Sequence, residues 1–278
     1  MTKFKFLMLL VSLVFIGVSI KAYCLYQAIS PNGISYWNTS NETNQQKIDH
    51  NLWQQFLSKY LTSDEELSIR YINYGSVNNE DRKILDKYLN QLQSIDPRHY
   101  QKDVQLAYWI NLYNALTVQI VLEHYPIESI KNIGDGFTGP WNMELVTISG
   151  QAVTLNQIEH GILRAFWKDN RVHYVINCAS IGCPDLPTHA FSSDNIEQQF
   201  NIAAIRFVNQ EKAVKFIDGK LHLSSIYSWF SEDFGSSTSA TIEHVKQFAK
   251  PTLKAQLDEF SAEVEFEYDW RLNENKSR

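Results

Sequence analysis

Cys178 and Cys183 are the residues of this chain best suited to chemistry. They lie five residues apart in the segment Arg171-Val-His-Tyr-Val-Ile-Asn-Cys178-Ala-Ser-Ile-Gly-Cys183-Pro. Apart from Cys24 they are its only cysteines. A thiol attacks, or holds a metal, as its thiolate, and at neutral pH that form needs a neighbouring base or cation. His173 and His160 are the imidazoles nearest in sequence. Three chemistries are open: a nucleophile with a histidine base, a disulfide closing a short loop, or half of a zinc site. Zinc is the weakest, because the four-residue gap has no second matched pair of ligands; neither a metal nor a cofactor is expected. Of the two thiols, Cys178 is the preferred nucleophile. Pro184 makes Cys183 look like a turn anchor.

Other polar residues interrupt apolar segments and must find partners there. In Ala107-Tyr-Trp-Ile-Asn111-Leu-Tyr-Asn114-Ala-Leu-Thr, Asn111 and Asn114 fall on one face of a helix that is apolar almost all round. An unpaired buried amide costs on the order of 1–3 kcal/mol, so each either staples loop backbone or serves a site, by binding a substrate carbonyl or orienting an imidazole. Trp109 reads as core first and as a ligand shelf second. Glu159 and His160 are adjacent on the next amphipathic helix and diverge by about 100°, too far for a tight dyad. Arg164 and Arg171 are available partners for Glu159. The expectation is that Asn111, Asn114, Glu159, His160, His173, Cys178 and Cys183 converge on one cleft, with Trp109 and Arg171 at its binding edge.

The elements that must position these residues are mostly helical. Leu52, Phe56 and Tyr60 stripe a helix over 51–61, and the pattern recurs over 80–92. Asp103 is placed to cap a buried helix over 104–124, which Pro126 ends. Leu145–Val153, around Ser149-Gly150, and Val214–Leu223, around Asp218-Gly219, carry hairpin signals. Thr154 and Gln157 have capping-box spacing for a helix reaching about Trp167. The alternation of Val172, Tyr174 and Ile176 predicts a strand leading into Cys178, and Ser193 can start a helix through Val208. Helices flanking hairpins, without regular β–α alternation, predict an α+β domain with a small antiparallel sheet.

Lys3 and Lys5, the apolar run Phe6–Ile20 and Ala22 follow the order of a secretory leader, with residues 1–22 either cleaved or retained as a membrane anchor. Lys21 and Tyr23 are poor neighbours for lipid attachment at Cys24. Residues 23–50 read as an irregular arm and 51–278 as one globular domain, exported to a periplasmic or extracellular space. In such an oxidising space two close cysteines most often form a disulfide. A net charge of −6 argues against a nucleic-acid surface. The partners expected are a small-molecule or peptide ligand, and a membrane only through the leader. A content of 44% hydrophobic residues is ample for a packed core.

Six stretches carry a resemblance. They are 107–117, Tyr125-Pro-Ile-Glu-Ser-Ile-Lys, Ile158-Glu-His-Gly-Ile-Leu-Arg, 171–184, Leu223-Ser-Ser-Ile-Tyr-Ser-Trp-Phe-Ser-Glu-Asp-Phe-Gly and Tyr268-Asp-Trp-Arg-Leu-Asn. In this order, from about Trp53 to Asn273, the chain resembles the family catalogued as domain of unknown function 547 (DUF547). The resemblance places the seven residues of the expected cleft among motif positions and names no reaction. Read as an enzyme, the set is loosely similar to papain-like and transglutaminase-like proteins: a Cys/His hydrolase or acyl transferase in a permuted chain order. The alternative is a non-catalytic exported binding module whose Cys178–Cys183 disulfide stiffens a loop beside a pocket, a closure worth about 2 kcal/mol.

Overall fold

The computed structural model describes residues 30–62, 67–134 and 139–274. The leader falls on residues 1–29, outside the described ones. Two helices, α1 (Asn51–Tyr60) and α2 (Asn79–Gln93), bury one stripe each, Trp53, Phe56, Leu57 and Tyr60 on the first and Leu85, Tyr88, Leu89 and Leu92 on the second. Between them β1 (Leu61–Thr62) and β2 (Tyr71–Ile72) form a short antiparallel pair. The Asn78 side chain accepts from the Asp81 N–H and caps α2.

α3 (Lys102–His124) is buried on all sides along most of its length and is the axis around which the rest packs. It starts two residues earlier than expected. Gln101 occupies the N-cap, and Asp103 lies inside the first turn, where the helix dipole still favours its charge. The expected hairpins are present as β3 (Val146–Ile148) with β4 (Gln151–Val153), and β5 (Val214–Ile217) with β6 (Lys220–Ser224). Their turns place Ser149-Gly150 and Asp218-Gly219 in the left-handed region, as two-residue hairpin loops demand.

Thr154 and Gln157 exchange hydrogen bonds at 3.0 and 3.1 Å, completing the capping box. The helix they open winds as a π-helix over Gln157–Leu163 and tightens into α4 (Arg164–Trp167). A Cβ on Gly161 would come within 2.7 Å of Ile34, so glycine here lets residues 30–34 lie against the π turn. Trp37, in the same irregular stretch, is buried edge-on against Trp109 at 5.1 Å.

The strand expected through Val172, Tyr174 and Ile176 is instead a 3-10 helix, Asn170–Tyr174, followed by a loop. The alternation misled because it had no exposed face: every residue from Val172 to Asn177 is buried. The Asp169 carboxylate, accepting from the Arg171 N–H, starts the 3-10 turn.

The chain continues through α5 (Ile196–Val208), α6 (Ser225–Trp229), α7 (Thr238–Phe248) and α8 (Pro251–Asp258). β7 (Val264–Glu267) then pairs with β6 in parallel, so the third small sheet is mixed rather than antiparallel. The helices between β6 and β7 supply the crossover that a parallel pair requires. The fold is therefore α+β and mostly helical. Two apolar clusters build its core, one around α1–α3 and the π turn, the other around Phe207, Leu223, Tyr227 and Val245. Val172, Val175 and Ile176 belong to the first cluster and Tyr174 to the second. The segment entering Cys178 thus threads the seam between them.

Candidate active site

The loop 177–183 is held by buried amides. Asn114, on α3, donates from Nδ2 to the Val175 carbonyl at 2.9 Å and accepts the Asn177 N–H at 2.8 Å. Asn177 in turn accepts the Ala179 N–H at 2.8 Å and donates to the Pro184 carbonyl at 2.7 Å. Lys212 Nζ donates to the Cys183 carbonyl at 2.6 Å. Asn111 makes the same two-way clamp on Phe191, at 2.8 and 3.0 Å. Both helix asparagines are thus spent on backbone. Trp109 is fully buried core, and Arg171 lies in an ion-pair network with Asp169 and Glu197.

Ala179 has φ +56°, a left-handed conformation that costs a non-glycine residue roughly 1–2 kcal/mol. It turns the chain between Cys178 and Ser180. The partly exposed Cys178 Sγ lies 2.9 Å from the Sγ of buried Cys183, 3.2 Å from Ser180 Oγ and 3.0 Å from Tyr268 Oη. The thiols are free, and their separation exceeds the roughly 2.05 Å of a disulfide bond. The loop disulfide is therefore not formed.

Burial raises the cost of a Cys178 thiolate, but hydrogen bonds from Cys183, Ser180 and Tyr268 outweigh it and hold the group down to about 7. Burial and the neighbouring Cys178 push Cys183 well above the ordinary thiol range. Of the two thiols, Cys178 is therefore the one that ionises first. No imidazole is among the hydrogen-bond partners of Cys178. Hydroxyls and a second thiol do the work expected of a histidine.

Tyr268 reaches the thiol because residues 268–273 run as a strap over the loop. Gly182 and Ile181 donate to the carbonyls of Asp269 and Arg271 at 2.9 and 2.8 Å, and Asn273 donates to Ala179 O at 3.1 Å. A Cβ on Gly182 would meet the Asp269 nitrogen at 2.8 Å, so only glycine admits the strap this closely. Trp229 and Trp270 pack on the ring of Tyr268, with the three ring centroids 4.6–5.5 Å apart.

The predicted histidines form a second polar cluster with Glu159. His173 Nε2 lies 2.6 Å from Asp233 Oδ2, and Arg164 Nε donates to the same oxygen at 2.5 Å. Arg164 also donates to His160 Nδ1 at 3.0 Å. Phe230 stacks on His173 at 4.4 Å and carries the Arg164 guanidinium 4.9 Å from its ring. Glu159 accepts from Tyr113 Oη at 3.1 Å, and its other oxygen lies 3.8 and 3.9 Å from Nδ1 of His160 and His173. The Glu159–His160 contact is therefore no tight dyad. Arg164, available in sequence to Glu159, binds Asp233 and His160.

Burial pushes the Glu159 carboxyl up to about 7, only partly opposed by Arg164 and the Tyr113 hydroxyl. Burial, with Arg164 beside it, drops His160 to about 3. His173 is lowered by burial too, against the pull of Asp233. Asp233 is held at about 2, its partial burial overcome by His173 and Arg164.

Ser180, Tyr268, Asp233 and Tyr113 were not singled out from sequence as site residues. The signal for two of them was the pair of motif stretches 223–235 and 268–273. Among the described residues no group of three or more His, Cys, Asp or Glu side chains is arranged to hold a metal ion. None of the described helices is long and apolar enough to cross a membrane. The model of a family described as "Protein of unknown function, DUF547" matches residues 97–208. No curated protein and no solved structure matches the chain.

Proposed function

We propose that this chain, whose residues 97–208 match the model of the DUF547 family of unknown function, carries out thiol–disulfide exchange at Cys178 and Cys183. The observation that supports this reading is a second, unbonded sulfur 2.9 Å from the thiol of Cys178, a partly exposed residue whose thiol is held at about 7. An attacking thiol works best with a pKa near ambient pH. A buried partner thiol with a raised pKa stays protonated until needed. In the forward step the Cys178 thiolate attacks one sulfur of a substrate disulfide, forming a mixed disulfide and releasing the other sulfur as a thiolate that takes a proton from water. Cys183 then loses its proton and attacks Cys178 Sγ. The Cys178–Cys183 bond forms, the substrate's second thiolate leaves, and the substrate is reduced as the protein pair is oxidised. An external thiol resets the pair.

A Cys/His hydrolase requires an imidazole on the nucleophile, whereas His160 and His173 are engaged by Arg164 and Asp233. Trp229 and Trp270, packed on the Tyr268 ring, suit a peptide or small-molecule disulfide. We further infer, from Lys3, Lys5 and the run Phe6–Ile20, that the exchange takes place outside the cytoplasm.

The test is to treat the reduced protein with glutathione disulfide and weigh the products. The wild-type chain is expected to lose two hydrogens across Cys178 and Cys183 and to carry no adduct on either, while Cys183→Ser retains glutathione on Cys178. Two thiols that remain unmodified, or an adduct mapped to Cys183, would overturn the proposal.

A further inference from the structure

Two hydroxyls flank the sulfur of Cys178 and are joined to each other. Ser180 Oγ lies 3.2 Å and Tyr268 Oη 3.0 Å from Sγ, and the two oxygens are 2.8 Å apart. In the exchange reading they only steady the thiolate. We propose that the cysteine pair also reduces hydroperoxides, with the Ser180 and Tyr268 hydroxyls holding the peroxide oxygens against Cys178 Sγ. The proposal rests on the exchange reading for one step only, the reset of the oxidised pair by an external thiol.

What these groups recognise selects the electrophile. A hydroxyl donates one hydrogen bond and accepts others, whereas a sulfur with both valences filled is a weak acceptor and no donor. A disulfide therefore draws little from the two hydroxyls beyond a steadied thiolate. A hydroperoxide brings an O–H and oxygen lone pairs, so it can bond to both hydroxyls while one of its oxygens meets Sγ. Size points the same way. Cys183, Ser180 and Tyr268 all approach Sγ within 3.2 Å, and the strap crosses the loop that carries it. The terminal oxygen of a hydroperoxide bears only hydrogen, which suits so crowded a sulfur. A reachable thiol of low pKa beside a resolving cysteine is also the setting in which oxidation to a sulfenic acid stays reversible.

The reaction balances in two steps. The Cys178 thiolate attacks the terminal oxygen of the hydroperoxide. An S–O bond forms and the O–O bond breaks. Its electron pair leaves on the second oxygen, as hydroxide or alkoxide, which takes a proton from water. Cys178 is then a sulfenic acid, oxidised as the peroxide is reduced. Cys183 Sγ, 2.9 Å away, next attacks Cys178 Sγ. The S–S bond forms, the S–O bond breaks, and the departing hydroxide takes the Cys183 proton and leaves as water. A thiol kept protonated by burial suits this step, because its proton is the one that a strongly basic leaving group needs. The Cys178 N–H, donating to Cys183 Sγ at 2.9 Å, steadies that sulfur as its proton departs. With the second thiol already in contact, the sulfenic acid is consumed before another peroxide carries it to the irreversible sulfinic acid.

Hydrogen peroxide is the probe, and iodoacetamide the control that reports the thiolate alone. The reduced wild-type chain, mixed with one equivalent of hydrogen peroxide at pH 7, should lose two hydrogens across Cys178 and Cys183. It should do so faster than free cysteine at the same thiolate concentration, by about tenfold or more. Cys183→Ser should stop at a Cys178 sulfenic acid, trapped by dimedone. Ser180→Ala should slow peroxide oxidation about tenfold more than it slows alkylation, the factor expected of a hydrogen bond to a developing charge. The hydroxyl acts on the thiolate in both reactions and on the oxygens in only one. Equal slowing of the two reactions sinks the inference. Should Ser180→Ala not fold, Tyr268→Phe gives the same comparison. A chain oxidised by glutathione disulfide, yet no faster by peroxide than free cysteine is, loses this inference and keeps the exchange reading. One that peroxide oxidises quickly and glutathione disulfide leaves untouched loses the exchange reading and keeps this inference.

Discussion

Three donors set the character of Cys178, and each donor can be removed singly. Tyr268→Phe takes away the hydroxyl 3.0 Å from Sγ and leaves the ring in place. The Cys178 pKa should climb by roughly one unit, since a hydrogen bond to a charged group is worth about 1.5–3 kcal/mol and Ser180 and Cys183 remain. Iodoacetamide alkylation at pH 7 should then slow on the order of fivefold, because fewer thiols are ionised. A rate unchanged in Tyr268→Phe would mean the hydroxyl does not steady the thiolate. At this scale the sequence was legible where neighbours in the site are neighbours in the chain: Cys178 and Cys183 lie on one turn. Tyr268 and Asp233, 90 and 60 residues away from their partners, were not. No local pattern distinguishes a phenol that will reach a thiol from one that packs.

Elements decide where these side chains point, and α3 is the chief of them. Asn114→Leu removes both bonds to the 175–177 loop and leaves a buried carbonyl and a buried N–H unpaired. The expected loss is about 2–4 kcal/mol in denaturant unfolding, together with faster amide exchange at Asn177. Full stability in this variant would show the clamp to be dispensable. Asn114→Asp should be equally harmful, because an oxygen then faces the Val175 carbonyl. The clamps on 175–177 and 191 were foreseeable as one of two roles for amides on an apolar helix. The 3-10 turn at 170–174 was not, because burial on every side erases the period from which a strand or helix is read. The capping box at Thr154 and Gln157 marked where the next helix begins. It carried no sign of the π winding, which depends on what packs against Gly161 from residues 30–34.

Across the whole molecule, four buried histidines set the response to acid. Burial lowers His50 and His244 to about 4 and His160 to about 3, and lowers His173 as well. In the unfolded chain each protonates near 6.5. Their stabilising contribution is therefore present above that value and is lost as pH falls through the folded values. For His50, His244 and His160 the contribution is on the order of 3–5 kcal/mol each. Glu159 works in the opposite sense: raised to about 7, it favours the folded state below its unfolded pKa near 4.3, and this contribution fades as pH climbs through 7. Unfolding midpoints in urea should drop steeply between neutral pH and pH 4, and a flat profile over that range would contradict the buried, neutral state of the histidines. His160 and His173 lie in the polar cluster behind the thiols, so partial loss of the Cys178 environment should accompany the fall. The strap has a consequence in time. Tyr268 is synthesised 90 residues after Cys178, an interval of about 5–20 s at ordinary translation rates. Throughout it Cys178 lacks one of its three donors, so its thiol is less readily ionised than in the finished site. Only when the strap docks over Gly182 is the environment of Cys178 complete, so the thiol gains its full acidity as one of the last events of folding.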